Sequence, residues 1–318
     1  MKFLRKLAIF LIATVAGASM ASDPQYPARE IRFVVPWAAG GATDVATRAL
    51  GRVLAEDGFR LIVENVPGNT AQIGLAKVAN SAPDGYVLGM GSSSTLTLAG
   101  QGMTSLKPGQ FTPIAVASID PLLLLVPASG PATVEAFIEH MKKNPGKVSI
   151  GTPGNNNVNH LFAIMTARSA GTEFINVPYQ GGSRVITDLA GKQIDAAVLK
   201  PSESKAQIDA GLVKPIAVFA QQRLSFYPNV PTFKEKGFNV FPYGPILQMS
   251  YVVGPAGLPA PVRDKLVAAF RKAIQSAQYK AFAEQNGFFV DEVVGGELDT
   301  QLVQMQKAFD NIGTKVFK

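Results

Sequence analysis

The sequence predicts an α/β protein of two lobes, each a mainly parallel sheet flanked by helices, joined by crossing strands. Three observations point there. Short apolar runs of strand length alternate with helical stretches, the pattern that parallel sheets impose. The chain of 318 residues exceeds the usual size of one core, so two are expected. Near mid-chain two apolar runs, 113–118 and 122–126, are split by Asp120-Pro121, where a connection would pass from one lobe to the other.

The elements follow in order. Residues 31–35 (Ile-Arg-Phe-Val-Val) read as a buried strand that breaks at Pro36. A helix over 44–55 carries Val45, Ala46, Ala49, Leu50 and Leu54 on one face. Strands at 61–64 and 87–90 flank a helix at 72–80, and Pro83-Asp84-Gly85 is the turn that launches the third strand. The second lobe opens with a helix at 134–143. It continues with strands at 148–151, 174–178 and 196–199, separated by helices at 159–169 and 183–190. Residues 216–220 read as the return crossing. Helices at 261–276 and 297–313 are expected to pack back on the first lobe. The lobes are accordingly drawn as 22–122 plus 224–318, and 123–223. There is no internal repeat and no low-complexity segment.

Residues 1–21 read as a signal peptide. Lys2, Arg5 and Lys6 precede an apolar core too short to span a bilayer, and Ser19-Met20-Ala21 supplies the small residues of a cleavage site. Cleavage after Ala21 removes those three bases and no acid, lowering the net charge from +7 to +4. The remaining basic excess is scattered, with no aromatic-interleaved basic run, so nucleic acid is not an expected partner. No apolar run after residue 21 reaches membrane-spanning length. With no cysteine, thiol catalysis and thiolate-bound metal are excluded. The two histidines, His140 and His160, lie far apart without acidic partners at ligand spacing. No metal or cofactor is expected.

Two strand-end loops carry the functional signal. Between Pro36 and Thr43 the loop Trp37-Ala38-Ala39-Gly40-Gly41-Ala42 contains no lysine or arginine. Its glycines would leave N–H groups uncovered at the start of the next helix, a site that suits a carboxylate. It is not a phosphate loop, because Ala42 follows Gly41 where a lysine is required. An ordinary turn would use the same glycines only to reverse the chain, and this loop alone does not separate the two. The second loop, Thr152-Pro153-Gly154-Asn155-Asn156-Asn157, is again uncharged and lies between a strand and a helix. In open α/β sheets ligands sit at such strand ends. That one such loop recurs in each lobe favours a shared cleft.

Several blocks carry a family resemblance. Tyr26-Pro27-Ala28-Arg29-Glu30-Ile31 with Val34-Val35-Pro36-Trp37-Ala38-Ala39-Gly40-Gly41-Ala42-Thr43-Asp44 resembles the opening of the Bug receptors, the extracytoplasmic solute-binding proteins of tripartite tricarboxylate transporters. Val63-Glu64-Asn65-Val66-Pro67-Gly68, Ala82-Pro83-Asp84-Gly85-Tyr86, Val177-Pro178-Tyr179-Gln180-Gly181-Gly182, Tyr227-Pro228-Asn229-Val230-Pro231-Thr232 and Gly254-Pro255-Ala256-Gly257-Leu258-Pro259 follow in family order. The resemblance implies a two-lobed periplasmic binding protein of type II-like architecture, monomeric, that captures a small organic carboxylate and delivers it to membrane permease subunits. It implies that Ala39, Gly40, Gly41, Ala42, Thr43 and Asp44 hold a carboxylate through backbone groups and water. Thr152, Gly154, Asn155 and Asn156 would serve from the second lobe, with Tyr179 and Gly181 nearby and residues 92–94 (Ser92, Ser93, Ser94) bordering the cleft. The chain departs from the family pattern after Asn65, at Lys200 and at Phe241-Pro242-Tyr243. The acid therefore stays open among tricarboxylates, dicarboxylates, aromatic acids and amino acids.

Single residues carry competing expectations. Lys200 ends the strand at 196–199, where it could pair with the far carboxylate of a diacid or simply be solvated. Arg184 and Lys205 are candidates of the same type. Asp44 could face the ligand or serve as a first-turn acid favoured by the helix dipole. His160 could donate to ligand or cap its helix. Tyr179, Phe241 and Tyr243 could pack on the ligand or belong to the core. An exported enzyme acting on an organic acid would need a nucleophile, base or metal, and the spacing of Ser92-Ser93-Ser94-Thr95 is not that of a nucleophile elbow. A ligand-presenting adaptor for a signalling protein is the other alternative.

Overall fold

Why the chain makes two mixed sheets is visible in the direction of a few strands. The computed structural model describes residues 26–244 and 246–317; the signal segment lies outside them. In the first half, β1 (Ile31–Val35), α1 (Ala42–Glu56), β2 (Leu61–Asn65), α2 (Gln72–Ala79), β3 (Val87–Ser92) and α3 (Ser93–Gly100) alternate. β1 pairs in parallel with β2 and β3. Parallel strands need a crossover between them, which α1 and α2 supply. β4 (Phe111–Ile119) then completes that side of the sheet. The chain passes through Asp120-Pro121 directly into β5 (Leu122–Pro127) of a second sheet.

The second sheet repeats the pattern. α4 (Val134–Lys143), β6 (Ser149–Thr152), α5 (Val158–Ala170), β7 (Ile175–Pro178), α6 (Gly182–Ala190), β8 (Ala196–Leu199), α7 (Pro201–Asp209) and β9 (Val213–Phe219) follow in order. The chain returns over residues 220–248 to β10 (Met249–Pro255), then α8 (Ala260–Gln275), α9 (Ala277–Asn286) and α10 (Gly295–Val316). Strand orders are β2-β1-β3-β10-β4 and β7-β6-β8-β5-β9. β10 is antiparallel to both its neighbours, and so is β5. These two are the strands that enter straight from the opposite sheet, without a crossover helix, so they must run against the rest.

Several elements differ from the sequence expectation, among them the helices α3 and α7, for which none was expected. β10 has no counterpart among the expected strands, although Met249–Pro255 is wholly buried and uncharged. Residues 216–220 are not a crossing: they lie mostly within β9, in the second sheet, and the return uses 220–248. Residues 224–240 pack on the second sheet. Leu224 and Val230 join the Leu123, Leu125 and Leu199 cluster, Phe233 stacks on Phe219, and the Val218 N–H donates to the Pro231 carbonyl.

Packing couples the tail to the first sheet. α8 contributes Leu266 and Phe270 to a core with Phe33 and Ile114. α3 and α10 cross in contact at Gly100 and Gly313. A Cβ on Gly100 would meet the Phe309 carbonyl and one on Gly313 the Gly100 carbonyl, so only glycine allows this approach. The Phe270 side chain is fully enclosed; truncation of such a group to alanine costs about 3–5 kcal/mol.

Candidate functional site

Five helices begin at one cleft between the sheets. Its wall includes Gly41, Ala42 and Thr43 from the start of α1, Ser92 and Ser94 from α3, and Asn157 and Asn159 from α5. Gly181 and Gly182 come from α6, and Lys200 and Glu203 from α7. Trp37, Ala38, Pro153 and Gln248 complete it, around about 460 Å³ that is partly open to solvent. Each helix follows a strand end directly or through a short loop, so the topology brings every one of these helix N-termini to the cleft.

The electrostatics follow from the caps. First-turn N–H groups have no intrahelical acceptor. α5 caps one of them with a side chain, Asn157, which accepts from the His160 N–H at 2.8 Å. α1, α3 and α6 lack a side-chain cap at their first residue, whereas at α7 the Glu203 carboxylate reaches back to the Lys200 N–H. Each helix start carries roughly half a positive charge. Ser92 is buried, and its Oγ has no hydrogen-bond partner. A buried hydroxyl left unpaired at a site costs free energy that a ligand oxygen would recover. Gly181 takes φ 140°, a conformation that glycine tolerates, and so swings the start of α6 into the cleft.

The first-lobe loop is held open by its own acid. The Asp44 carboxylate accepts from the Gly40 N–H at 3.0 Å, from Asn65 Nδ2 at 3.0 Å and from Arg48 Nε at 3.1 Å. Burial pushes the Asp44 carboxyl upward, but the hydrogen bonds from Arg48, Gly40 and Asn65 outweigh it and hold it below the ordinary value. Asp44 therefore props the loop from behind. Ala39 and Gly40 are exposed on the far side, while Gly41, Ala42 and Thr43 face the cleft.

The second-lobe loop divides similarly. The Asn155 carbonyl accepts from Thr70 Oγ1 at 3.1 Å, and the Asn156 carbonyl from Thr97 Oγ1 at 2.6 Å and Gln101 Nε2 at 3.0 Å. These bonds run from lobe to lobe, so Asn155 and Asn156 latch the closed cleft. Thr152 Oγ1 donates to the Gly154 carbonyl and shapes the loop internally. Ser93 Oγ accepts from the Met249 N–H at 3.1 Å and ties α3 to β10. Tyr179 donates to Asp188 at 2.8 Å and packs on the second core; burial first, then Asp188, pushes its hydroxyl up to about 12.

Lys200 sits at the cleft floor, but its ammonium is engaged. Nζ donates to Asp120 Oδ2 at 2.8 Å and reaches Ser250 Oγ at 3.4 Å, with both charged side chains buried. Asp120 also accepts from Ser118 Oγ at 2.7 Å. Since Asp120 lies in the crossing connection, this pair fastens the second lobe to the hinge. Arg184 is exposed, and Lys205 pairs with Asp209 on the surface. His160 accepts from the Asn156 N–H through Nδ1, and burial lowers it to about 4. Phe241 packs edge-on against Phe162, and Lys315 lies over the Tyr243 ring at 5.7 Å. A more apolar cavity of about 520 Å³ lies inside the first lobe against α10, away from both loops.

Sequence reasoning includes Trp37 and Asn157 only as loop members and passes over Asn159, Gly182, Glu203 and Gln248 as site residues. For Glu203 a signal exists: Pro201 with Glu203 two residues later marks a helix start directly after Lys200.

The model of the tripartite tricarboxylate transporter family receptor matches residues 46–308. The chain belongs to that family. This receptor is 31% identical over 288 residues to a UPF0065 protein of Bordetella pertussis, an alignment covering 89% of this chain and 88% of the relative. It matches the solved structure of the periplasmic binding protein BugD with a TM-score of 0.84 at 28% identity, over 92% of this chain and 98% of that one. MatC of Rhodopseudomonas palustris, solved with bound malate, shares the fold: TM-score 0.84, 23% identity, 91% of this chain and 100% of that one. Among the described residues no helix is long and apolar enough to cross a membrane.

Proposed function

We propose that this receptor is an exported, non-catalytic binding protein that captures a small organic carboxylate between its lobes and delivers it to the membrane subunits of a tripartite tricarboxylate-type transporter. The observation that carries this is the convergence of five helix N-termini, three of them without a side-chain cap, on one cleft. One helix end stabilises an anion by about 0.3–1 kcal/mol when exposed and up to about 2 kcal/mol when partly buried. Several together offset the loss of a carboxylate's water, which costs several kcal/mol.

The charges of Lys200 and Asp120 pair with one another, so the gathered N–H groups supply the attraction. The latch from Thr70, Thr97 and Gln101 to Asn155 and Asn156 supports a hinge that closes on its ligand. Serine hydroxyls line the cleft, but His160 is turned into a helix cap, which speaks against nucleophilic catalysis. The packing of residues 224–240 favours moving the second lobe boundary from 223 to beyond 240. Residues 1–21 direct export and are cleaved near Ala21.

The test is a thermal-shift screen of residues 22–318 against mono-, di-, tri- and aromatic carboxylates, followed by calorimetry. A ligand that binds only the folded state raises the midpoint. A shift with one class supports this function; no shift with any carboxylate rejects it.

A further inference from the structure

The cleft floor is asymmetric in charge, and Glu203 is the reason. Its side chain is half-buried, and its carboxyl is wedged against the backbone of Gly182, where any Cβ would collide with it. Oε2 accepts from the Lys200 N–H at 3.2 Å, while Oε1 makes no hydrogen bond among the described residues. The charged groups facing it are Lys200 and Asp120. These two pair with each other at 2.8 Å, so the cation nearest Glu203 is already matched.

We propose that Glu203 is a specificity residue that accepts a hydrogen bond from the far end of the ligand, so that the cleft selects a carboxylate whose other end is a donor (ammonium, amide or hydroxyl) over a dicarboxylate. This rests on the carboxylate-receptor function above and narrows its ligand class. The helix starts take one carboxylate. A second carboxylate would meet Glu203 and force a proton between two like charges. A donor would meet the open Oε1, and an acceptor enclosed together with its ligand discriminates strongly against ligands that cannot satisfy it.

In its ionised form Glu203 does not stabilise the ligand-free fold. Burial pushes the Glu203 carboxyl above its ordinary value of 4.5, against the pull of Lys200. A raised folded-state value favours the protonated form. Its ionisation therefore destabilises the ligand-free protein progressively as pH rises above 4.5. E203Q should melt higher than the parent protein at pH 7 and lose that advantage below pH 4.5, which also verifies that the variant folds.

Calorimetry at pH 7 compares matched acids: succinate with succinamate, 4-hydroxybutanoate and 4-aminobutanoate, and adipate with adipamate and 6-aminohexanoate. The parent protein should bind at least one donor-ended acid at least tenfold more tightly than its diacid. E203Q should erase that ratio. Diacids bound as tightly as donor-ended acids, or a preference that E203Q leaves intact, overturns the inference while leaving the receptor function standing. If no acid of any kind binds, both fall together.

Discussion

The two walls of the cleft solve different problems. The first-lobe wall, from α1 and α3, presents backbone and hydroxyl groups, and its acid Asp44 is turned away to brace the loop. The second-lobe wall brings Asn159 alongside Lys200 and Glu203. Backbone donors recognise any carboxylate by charge and shape and impose little further choice. Side chains with fixed charge can reject as well as accept. On the proposed function, both walls lend helix starts to capture while the fixed charge that can discriminate sits in the second lobe alone, with the Lys200–Asp120 pair as the joint.

The most damaging change should be Lys200→Ala. Removing one member of a buried pair leaves Asp120 uncompensated and costs about 3–5 kcal/mol, readable by urea denaturation. Lys200→Met combined with Asp120→Asn should recover most of it. If Lys200→Ala leaves stability intact, the joint is not a joint. Next comes Gly41→Asp, which places a carboxylate on the first wall where the ligand's should lie. Gly41 has an ordinary extended backbone and a Cβ would sit 3.3 Å from the Ala38 carbonyl, so the fold should survive. Binding should weaken by at least about 100-fold, roughly 2.8 kcal/mol, and retained affinity would unseat the first wall as the capture surface.

Asp44→Ala should have a smaller effect, about tenfold in affinity, or about 1.4 kcal/mol, because it frees the Gly40 N–H and Arg48 without touching the ligand. A rise in the dissociation rate with unchanged ligand preference would fit bracing; changed preference would mean Asp44 reads the ligand. The mildest effect concerns His160. Its folded value of about 4 lies below the ordinary 6.5, so the unfolded chain binds more protons between those values. Stability is present in full above about pH 6.5 and declines as pH falls towards 4. His160→Gln should flatten that part of the melting-point profile, and an unchanged slope would remove the histidine from the account.

Much of the fold is legible because burial writes its period into local sequence. The run Ile31–Val35 is found as predicted, and the apolar face of α1 is found at Ala46, Ala49, Leu50 and Leu54, with Val53 in place of Val45, which is exposed. Other elements are not. α3 is Ser-Ser-Thr-Leu-Thr-Leu-Ala-Gly, poor in helix formers, and it is a helix because Gly100 and Gly313 let α10 lie against it. β10 is a strand because it fills the gap between β3 and β4, more than 120 residues earlier in the chain.

The sequence by itself determined the α/β alternation, the crossing at Asp120-Pro121, the two uncharged loops and the family. These depend on residues close together in the chain, whose propensities and spacing act locally. Tertiary structure alone decided that Asp44 faces backward, that Asp120 pairs with Lys200 eighty positions later, and that Glu203 meets Gly182 at the cleft floor. A side chain's partner, burial and free valence are set by whatever the fold brings beside it, and no local pattern encodes that neighbour.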